Sequence, residues 1–239
     1  VTLAAEMVDL GVKLGNRVIL KHLNCQIAAG QITALVGESG SGKSTLLYTM
    51  NGLVRPNAGR LTVLGLPFPP ANADLFRRRI GFAVQSSALM PHLSAFDNLT
   101  LMAKLTGWPP DKTRERFDKL MSVLGLDSAL GEHYPHQLSG GQQQRISLGR
   151  AFMLNPEMLL LDEPFSAVDP ITRSEIYDRF EALMEIEPKS VVIVTHNLAE
   201  AERLADQIIV LKEGEIVQQG EVSVIRRHPA NDYVARLFV

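Results

Sequence analysis

The rhythm of apolar and polar positions changes twice along this chain. In the first third, the short runs "RVIL", "LNCQIAAG", "QITALVG" and "RLTVLG" are apolar or alternating and are bounded by Gly or Asn, which predicts strands. "IGFAVQ", ending at Gln85, predicts another. From residue 86 to 154 the strand signal fades. Segments 94–106 and 112–124 carry helical spacing, with breaks at "GWPP" and "GLD". Beyond that, strands and helices alternate. "EMLLLDEP" and "SVVIVTH" read as buried strands. Residues 172–187 contain no Gly or Pro, and Ile176, Phe180, Leu183 and Met184 fall on one helical face. "LAEAERLAD" predicts a short helix, and "QIIVLKEGEIVQQG" a hairpin turning at Glu213-Gly214. Apolar runs that alternate with helices predict a parallel α/β sheet. The expected organisation is a single domain over residues 1–239, with a helical subdomain at about 86–154 inserted into an α/β core.

Composition narrows the picture. The chain has 239 residues, 46% of them apolar, and a formal net charge of −2. That is enough chain for a large core, and it lacks the basic footprint that nucleic acid requires. The densest basic run, Arg77-Arg78-Arg79, reads as a solvated face or a set of local contacts. One cysteine, Cys25, allows no internal disulfide and reads as a small core residue. No apolar run has the length of a membrane span, and the N-terminus lacks a signal-peptide pattern. A cytoplasmic chain is expected, so membrane work would need a partner to hold it there.

The candidate chemistry begins at "GESGSGKST". Gly37, Glu38, Ser39, Gly40, Ser41, Gly42, Lys43, Ser44 and Thr45 match G-x-x-x-x-G-K-[ST] between a predicted strand and a helix-like run. Glycines let backbone N–H groups curl around phosphate oxygens. Lys43 would reach the β- and γ-phosphates, and Ser44 would ligate Mg²⁺. Such a loop needs an acid at the end of another buried strand. "MLLLDEP" offers Asp162 to hold Mg²⁺ through water and Glu163 to polarise an attacking water. His196 ends a third strand, where a polar cap is the ordinary role, and Gln85 ends a fourth, with a carbonyl able to ligate Mg²⁺ or orient water. Ligands of open α/β sheets bind at the carboxyl ends of strands, so the coincidence of four such ends is informative. A second anion site lies at "LSGGQQQRISLGRA", where Ser139, Gly140 and Gly141 precede a helix-like run.

Taken together these motifs resemble the ATP-binding cassette (ABC) ATPases over nearly the whole chain. The loop at Gly37 is the Walker A, Gln85 centres the Q-loop, "LSGGQQQR" is the signature, "MLLLDEP" the Walker B, "SAVD" the D-loop and "TH" at Thr195-His196 the switch. The resemblance implies a P-loop NTPase core, with a parallel sheet and an N-terminal antiparallel β subdomain, plus an inserted helical subdomain. It implies ATP hydrolysis with Mg²⁺, with Lys43, Glu163 and His196 as the catalytic residues. It also explains the second anion site. Two subunits pack head-to-tail, so Ser139, Gly140, Gly141, Gln142 and Asp169 would serve the ATP held by the partner. At the position where the family carries an adenine-stacking aromatic, this chain has Leu14, which implies weaker ATP affinity and looser base choice. Val168 in the D-loop replaces a common leucine.

Cassettes of this build power separate integral-membrane permeases from the cytoplasmic face of the inner membrane, as peripheral subunits. "SSALMPHLSAFDNL" would be the docking surface, with Leu89, Met90 and Pro91 as contacts. The GW pair, "YPHQLSGGQQQR", "DPITR" and the "PANDYV" tail are similar to importers of glycine betaine, choline and related osmoprotectants. That implies an extracytoplasmic solute-binding protein, a second and identical cassette, and no nucleic-acid partner. Trp108, before Pro-Pro, reads as a packing anchor at a helix end, not a cage for a quaternary ammonium. The competing readings are a cassette for another importer (amino acid or other small solute) or for lipid trafficking. More remote are a soluble ABC ATPase acting on nucleic acid or ribosomes and a non-catalytic binding module.

Overall fold

The computed structural model describes residues 2–85, 88–166 and 168–238. In chain order the elements are β1 (Leu3–Leu14), β2 (Arg17–Ala28), β3 (Ile32–Val36), α1 (Lys43–Met50), β4 (Ala58–Val63), β5 (Leu66–Pro67), α2 (Ala73–Arg78), β6 (Ile80–Ala83), α3 (Ala95–Leu105), α4 (Pro110–Val123), α5 (Gly140–Phe152), β7 (Met158–Asp162), α6 (Pro170–Ile186), β8 (Ser190–Val194), α7 (Leu198–Leu204), β9 (Gln207–Lys212), β10 (Glu215–Glu221), α8 (Val222–Arg227) and α9 (Asp232–Leu237). The chain divides into two compact units, one of Val1–Arg77, Leu160–Asp162 and Lys189–Val239, the other of Arg78–Leu159 and Glu163–Pro188.

The first unit holds two sheets. One is antiparallel, in the order β2-β1-β4-β5. In the other, β3 lies between β8 and β9, parallel to both, and β10 closes the edge antiparallel to β9. The α/β core and the N-terminal antiparallel sheet are therefore as expected. Every residue of β8 is buried, because a parallel strand covered on both faces has no polar side to show. The face carrying Ala34, Val36, Ile208 and Val210 is covered by Ala201 of α7, Ile225 of α8, and Tyr233 and Val234 of α9. Met7 pairs with Cys25, whose thiol donates to the Met7 Sδ at 3.2 Å. Burial pushes that thiol up to about 12, so Cys25 is an inert core residue.

The second unit is largely helical. The helix α3 packs against α4 and α5, α5 packs against β6, and α4 against α6. Leu99, Ala103, Phe117, Leu120, Ile146 and Phe152 are buried there, and the Phe96 and Phe117 rings meet edge-on at 4.8 Å. Ile176, Phe180 and Leu183 of α6 are buried as their spacing predicts.

Several details differ from the sequence reading. "RVIL" and "LNCQIAAG" form one continuous strand, β2, not two. The strands at "IGFAVQ" and "SVVIVTH" stop at Ala83 and Val194, leaving Gln85 and His196 two residues beyond their ends. The strand β1 and the helices α2, α8 and α9 carried too little periodicity to be predicted. The arginine run makes local contacts: Arg77 donates to the Asn51 and Gly52 carbonyls, and Arg79 forms a fork-to-fork pair with Glu157 at 2.6 and 2.8 Å.

Candidate functional site

In the first unit the loop between β3 and α1 is a cradle built from glycine. Gly37, Gly40 and Gly42 take φ of 145°, 79° and 106°, which side-chain-bearing residues rarely adopt. A Cβ on Gly37 would lie 2.1 Å from the Leu211 carbonyl oxygen, and one on Gly42 would lie 2.6 Å from the Leu20 Cδ2. The loop is therefore pressed against β9 and β2. The Ser41 N–H donates to the Glu38 carbonyl at 3.2 Å, and the Ser41 carbonyl accepts from the Gly214 N–H at 3.0 Å. Lys43 opens α1 and is buried. Its ammonium donates to the Gly37 and Glu38 carbonyls at 2.7 and 2.8 Å and lies 3.5 Å from the Ser41 Oγ. A cation folded back on its own loop, at a helix N-terminus, is placed to exchange those carbonyls for phosphate oxygens. Ser39 is exposed, while Ser44 and Thr45 lie half-buried in the first turn of α1.

Asp162 ends β7, which neighbours β8, and it is only 3% exposed. Burial raises the Tyr48 phenol above its ordinary range, and the charge of Asp162 raises it further. Tyr48 stands one turn after Ser44 on the same face of α1. His196 is exposed after β8. Its turn is pinned by the Thr195 Oγ1, which accepts from the Asn197 N–H at 3.0 Å, and by Asn197 as the N-cap of α7. Lys43, Ser44, Asp162 and His196 thus all follow or end strands of one sheet at their carboxyl ends.

The second unit gathers Gln85, Glu163 and the helix α5. The Gln85 Nε2 donates to a Glu163 carboxylate oxygen at 2.9 Å. Glu163 sits at φ 48°, a left-handed conformation uncommon for a residue with a side chain. Its carbonyl accepts from the Gln144 Nε2 at 2.9 Å and the Ser166 Oγ at 3.0 Å. Glu163 is therefore held at both its side chain and its backbone. Gln144 and Ser166 were not singled out from sequence. Gln144 lies within the quoted "LSGGQQQR", and its place one turn before Leu148 and two before Ala151, on the apolar stripe of α5, was the available signal.

Ser139 is the N-cap of α5. Its Oγ accepts from the Gln142 N–H at 3.2 Å, and the Gln142 Oε1 accepts from the Ser139 N–H at 2.9 Å. Gly140 is exposed, with no atom of the described residues within 4 Å of where a Cβ would stand, and Gly141 is half-buried. Ser139 and Gly140 are exposed at the N-terminus of this 13-residue helix, the positive end of its dipole. Asp169 caps α6 by accepting from the Thr172 N–H at 3.0 Å. Ala167, in the "SAVD" stretch, lies outside the described residues.

Leu14 ends β1 opposite Arg17 and is 47% exposed; Val18, on the next strand, is 44% exposed. Of the expected docking stretch, Ser86 and Ser87 lie outside the described residues. Leu89 is half-buried, while Met90 and Pro91 are exposed. A fully buried amide, Asn98, anchors this stretch. It accepts from the Met90 N–H at 2.7 Å and reaches the Met90, Leu93 and Ser94 carbonyls at 3.0–3.1 Å. Asn98 was missed, although a polar residue inside the apolar stripe of α3 was visible in sequence. The Trp108 ring has the Lys112 Nζ 3.9 Å from its centroid, so an internal cation already covers one face.

Comparison with known proteins agrees with this geometry. The family model described as ABC transporter matches residues 20–166. The chain is 40% identical over 224 residues to the glycine betaine uptake system ATP-binding protein YehX of Escherichia coli, covering 94% of this chain and 73% of that protein. It is 40% identical to the glycine betaine/carnitine/choline transport ATP-binding protein OpuCA of Bacillus subtilis, over 92% of this chain and 58% of that one. The sulfate/thiosulfate import ATP-binding protein CysA of Synechocystis is also 40% identical, over 93% of this chain and 62% of that one. The chain thus spans under two thirds of the length of the latter two. Among solved structures it is similar to the dimeric ATP-binding cassette MJ0796 in a post-hydrolysis state bound to ADP and Pi, with TM-score 0.83 and 31% identity over 91% of this chain and 98% of that one.

Proposed function

This chain belongs to the ABC transporter family of ATP-binding proteins, and from that premise we propose that it is an ATP-hydrolysing subunit that dimerises around ATP and drives a separate membrane permease. The observation that carries this reading is the complete phosphate cradle, with Lys43 folded onto the Gly37 and Glu38 carbonyls, in a chain that also opens the N-terminus of α5 at Ser139 and Gly140. One chain offers two anion sites, and the second serves the ATP of a partner copy.

On this reading the backbone of residues 37–45 and Lys43 hold the ATP phosphates. Ser44 and the buried Asp162 suit Mg²⁺: both are hard oxygen donors, and Mg²⁺ takes few protein ligands and fills the rest with phosphate and water. Gln85 is a further carbonyl donor. Mg²⁺ held by these residues would supply charge neutralisation to the phosphates. Glu163 polarises the attacking water, with its carboxylate oriented by Gln85 and its backbone by Gln144 and Ser166. His196 contacts the γ-phosphate. From the partner, Ser139, Gly140, Gly141 and Gln142 bind the same group, and Asp169 reports its state. The exposed Leu14 covers adenine by apolar contact. After hydrolysis the bridging γ-phosphate is lost and the dimer opens.

The relatives' printed names support a transport setting. A quaternary ammonium osmoprotectant such as glycine betaine or choline is the proposed cargo, delivered by an extracytoplasmic binding protein to integral-membrane permease subunits. Leu89, Met90 and Pro91 are the proposed permease contacts, at the cytoplasmic face of the membrane. Among the described residues no helix is long and apolar enough to cross a membrane. The CysA relative, at equal identity, favours a second reading, in which the same motor serves another importer. The two are separated by uptake of labelled glycine betaine into cells lacking this gene. Rescue by the native chain and not by Glu163→Gln supports the osmoprotectant reading. Uptake that never depended on the chain, in cells without a redundant transporter, moves the cargo to another solute.

A further inference from the structure

Tyr233 lies in α9, near the far end of the chain, yet its side chain reaches the phosphate loop. Its hydroxyl accepts from the Glu38 N–H at 3.2 Å and donates to the Leu211 carbonyl at 3.5 Å. A phenol has one proton to give and lone pairs to receive, so both contacts are made by one group. The same Leu211 carbonyl is what a Cβ on Gly37 would strike at 2.1 Å. The opening peptides of the loop, β9 and Tyr233 therefore converge at one point. The ring is held in place: Tyr233 is 8% exposed in the cluster with Val36, Val210 and Val234, and the Lys212 Nζ sits 4.7 Å from its centroid.

Glu38 has a particular place in the loop. Its carbonyl accepts from the Ser41 N–H and from Lys43, and the Gly37 carbonyl accepts from Lys43 as well. When Lys43 turns to a phosphate, both carbonyls lose their cation. The bond from the Glu38 N–H to Tyr233 does not depend on Lys43, so it persists through that exchange. Resting on the nucleotide-binding reading above, we infer that Tyr233 is a positioning residue for ATP: it clamps the entry of the phosphate loop to the sheet, so that the loop keeps its shape once Lys43 has moved. Without the hydroxyl, the Glu38 N–H loses its protein partner and the loop gains freedom that nucleotide must remove on binding.

The test compares Tyr233→Phe with the native full chain. Phenylalanine keeps the ring, its packing and the Lys212 contact, and removes only the hydroxyl. The expected result is a rise of about three- to tenfold in KM and Kd for ATP, from loss of one hydrogen bond, with kcat at saturation and Tm nearly unchanged. Hydrogen exchange at the Glu38 amide should quicken. Val234→Ala is the control, since Val234 is buried beside Tyr233 but makes no bond to the loop; it should lower Tm and leave KM alone. Unchanged affinity and unchanged Glu38 exchange in Tyr233→Phe would overturn the inference. So would a loss of affinity matched by Val234→Ala, because that marks packing and not the hydroxyl. A native chain that binds no ATP sinks the functional reading and this inference with it; a native chain that binds, beside a Tyr233→Phe chain that binds equally well, sinks the inference alone.

Discussion

Leu14 is the residue at which this chain's chemistry departs from its family resemblance. It ends β1 with nearly half of its surface open, so an apolar side chain is exposed where adenine is proposed to lie. What leucine lacks is the ring quadrupole that favours stacking, an effect worth about 0.5–1.5 kcal/mol. Leu14→Tyr should therefore tighten ATP roughly two- to tenfold and sharpen preference for adenine over other bases. Titration of the native and substituted chains with ATP and GTP checks this, and identical constants would remove Leu14 from the base site. The other candidate residues were legible one by one because their motifs are local: the cradle glycines, Lys43, Asp162 and Glu163, and the Ser139 cap each lie within a few residues of their neighbours. What holds them was not legible. Tyr233 meets Glu38 across 195 positions and Gln144 meets Glu163 across 19, and no periodicity joins such pairs.

Among the elements, the fully apolar strands and the long helices followed their patterns, while β1 did not. Its pairing with β2 shifts register repeatedly, and Asp9 and His22 take positive φ on facing strands, joined by a 2.6 Å contact. Each bulge flips the alternation, so "LAAEMVDLGVKL" shows no clean period of two. Tail helices of six residues are similarly too short for a period of 3.6 to register. In the second unit, α6 is tied to α4 at its C-terminus. Glu187 accepts a bidentate pair from Arg116 at 3.0 and 3.2 Å and also pairs with Lys119. Bonds from Arg116, and then from Lys119, draw its carboxyl from 4.5 down to about 2. The folded chain thus keeps Glu187 ionised where the unfolded chain already takes a proton. Its contribution is fully present above pH 4.5 and is lost as pH falls toward 2. Glu187→Gln should lower Tm at neutral pH, by about 2–4 °C for each kcal/mol lost. The gap to the native chain should close on acidification through that window. A gap of constant size across the same pH range would mean that the ion pair does not stabilise the fold.

At the scale of the whole molecule, the proposed function calls on a second copy of the chain. One unit carries the glycine-rich loop, Asp162 and His196; the other carries Gln85, Glu163 and an exposed, capped helix N-terminus. A helix end of that kind attracts an anion, and in the proposed head-to-tail pair that anion would be the γ-phosphate held by the partner's cradle. ATP then contributes to both halves of the contact, so association is linked to nucleotide by mass action. Arresting hydrolysis without disturbing the cradle should leave that linkage at its strongest. Glu163→Gln does this, because it removes the base and keeps a side chain of the same size that can still bond to Gln85. The most direct measurement is sedimentation of Glu163→Gln with and without saturating Mg-ATP. The account predicts monomer without nucleotide and a stable dimer with it, while the native chain hydrolyses its ATP and returns to monomer. A Glu163→Gln chain that binds Mg-ATP yet remains monomeric at all concentrations would contradict it.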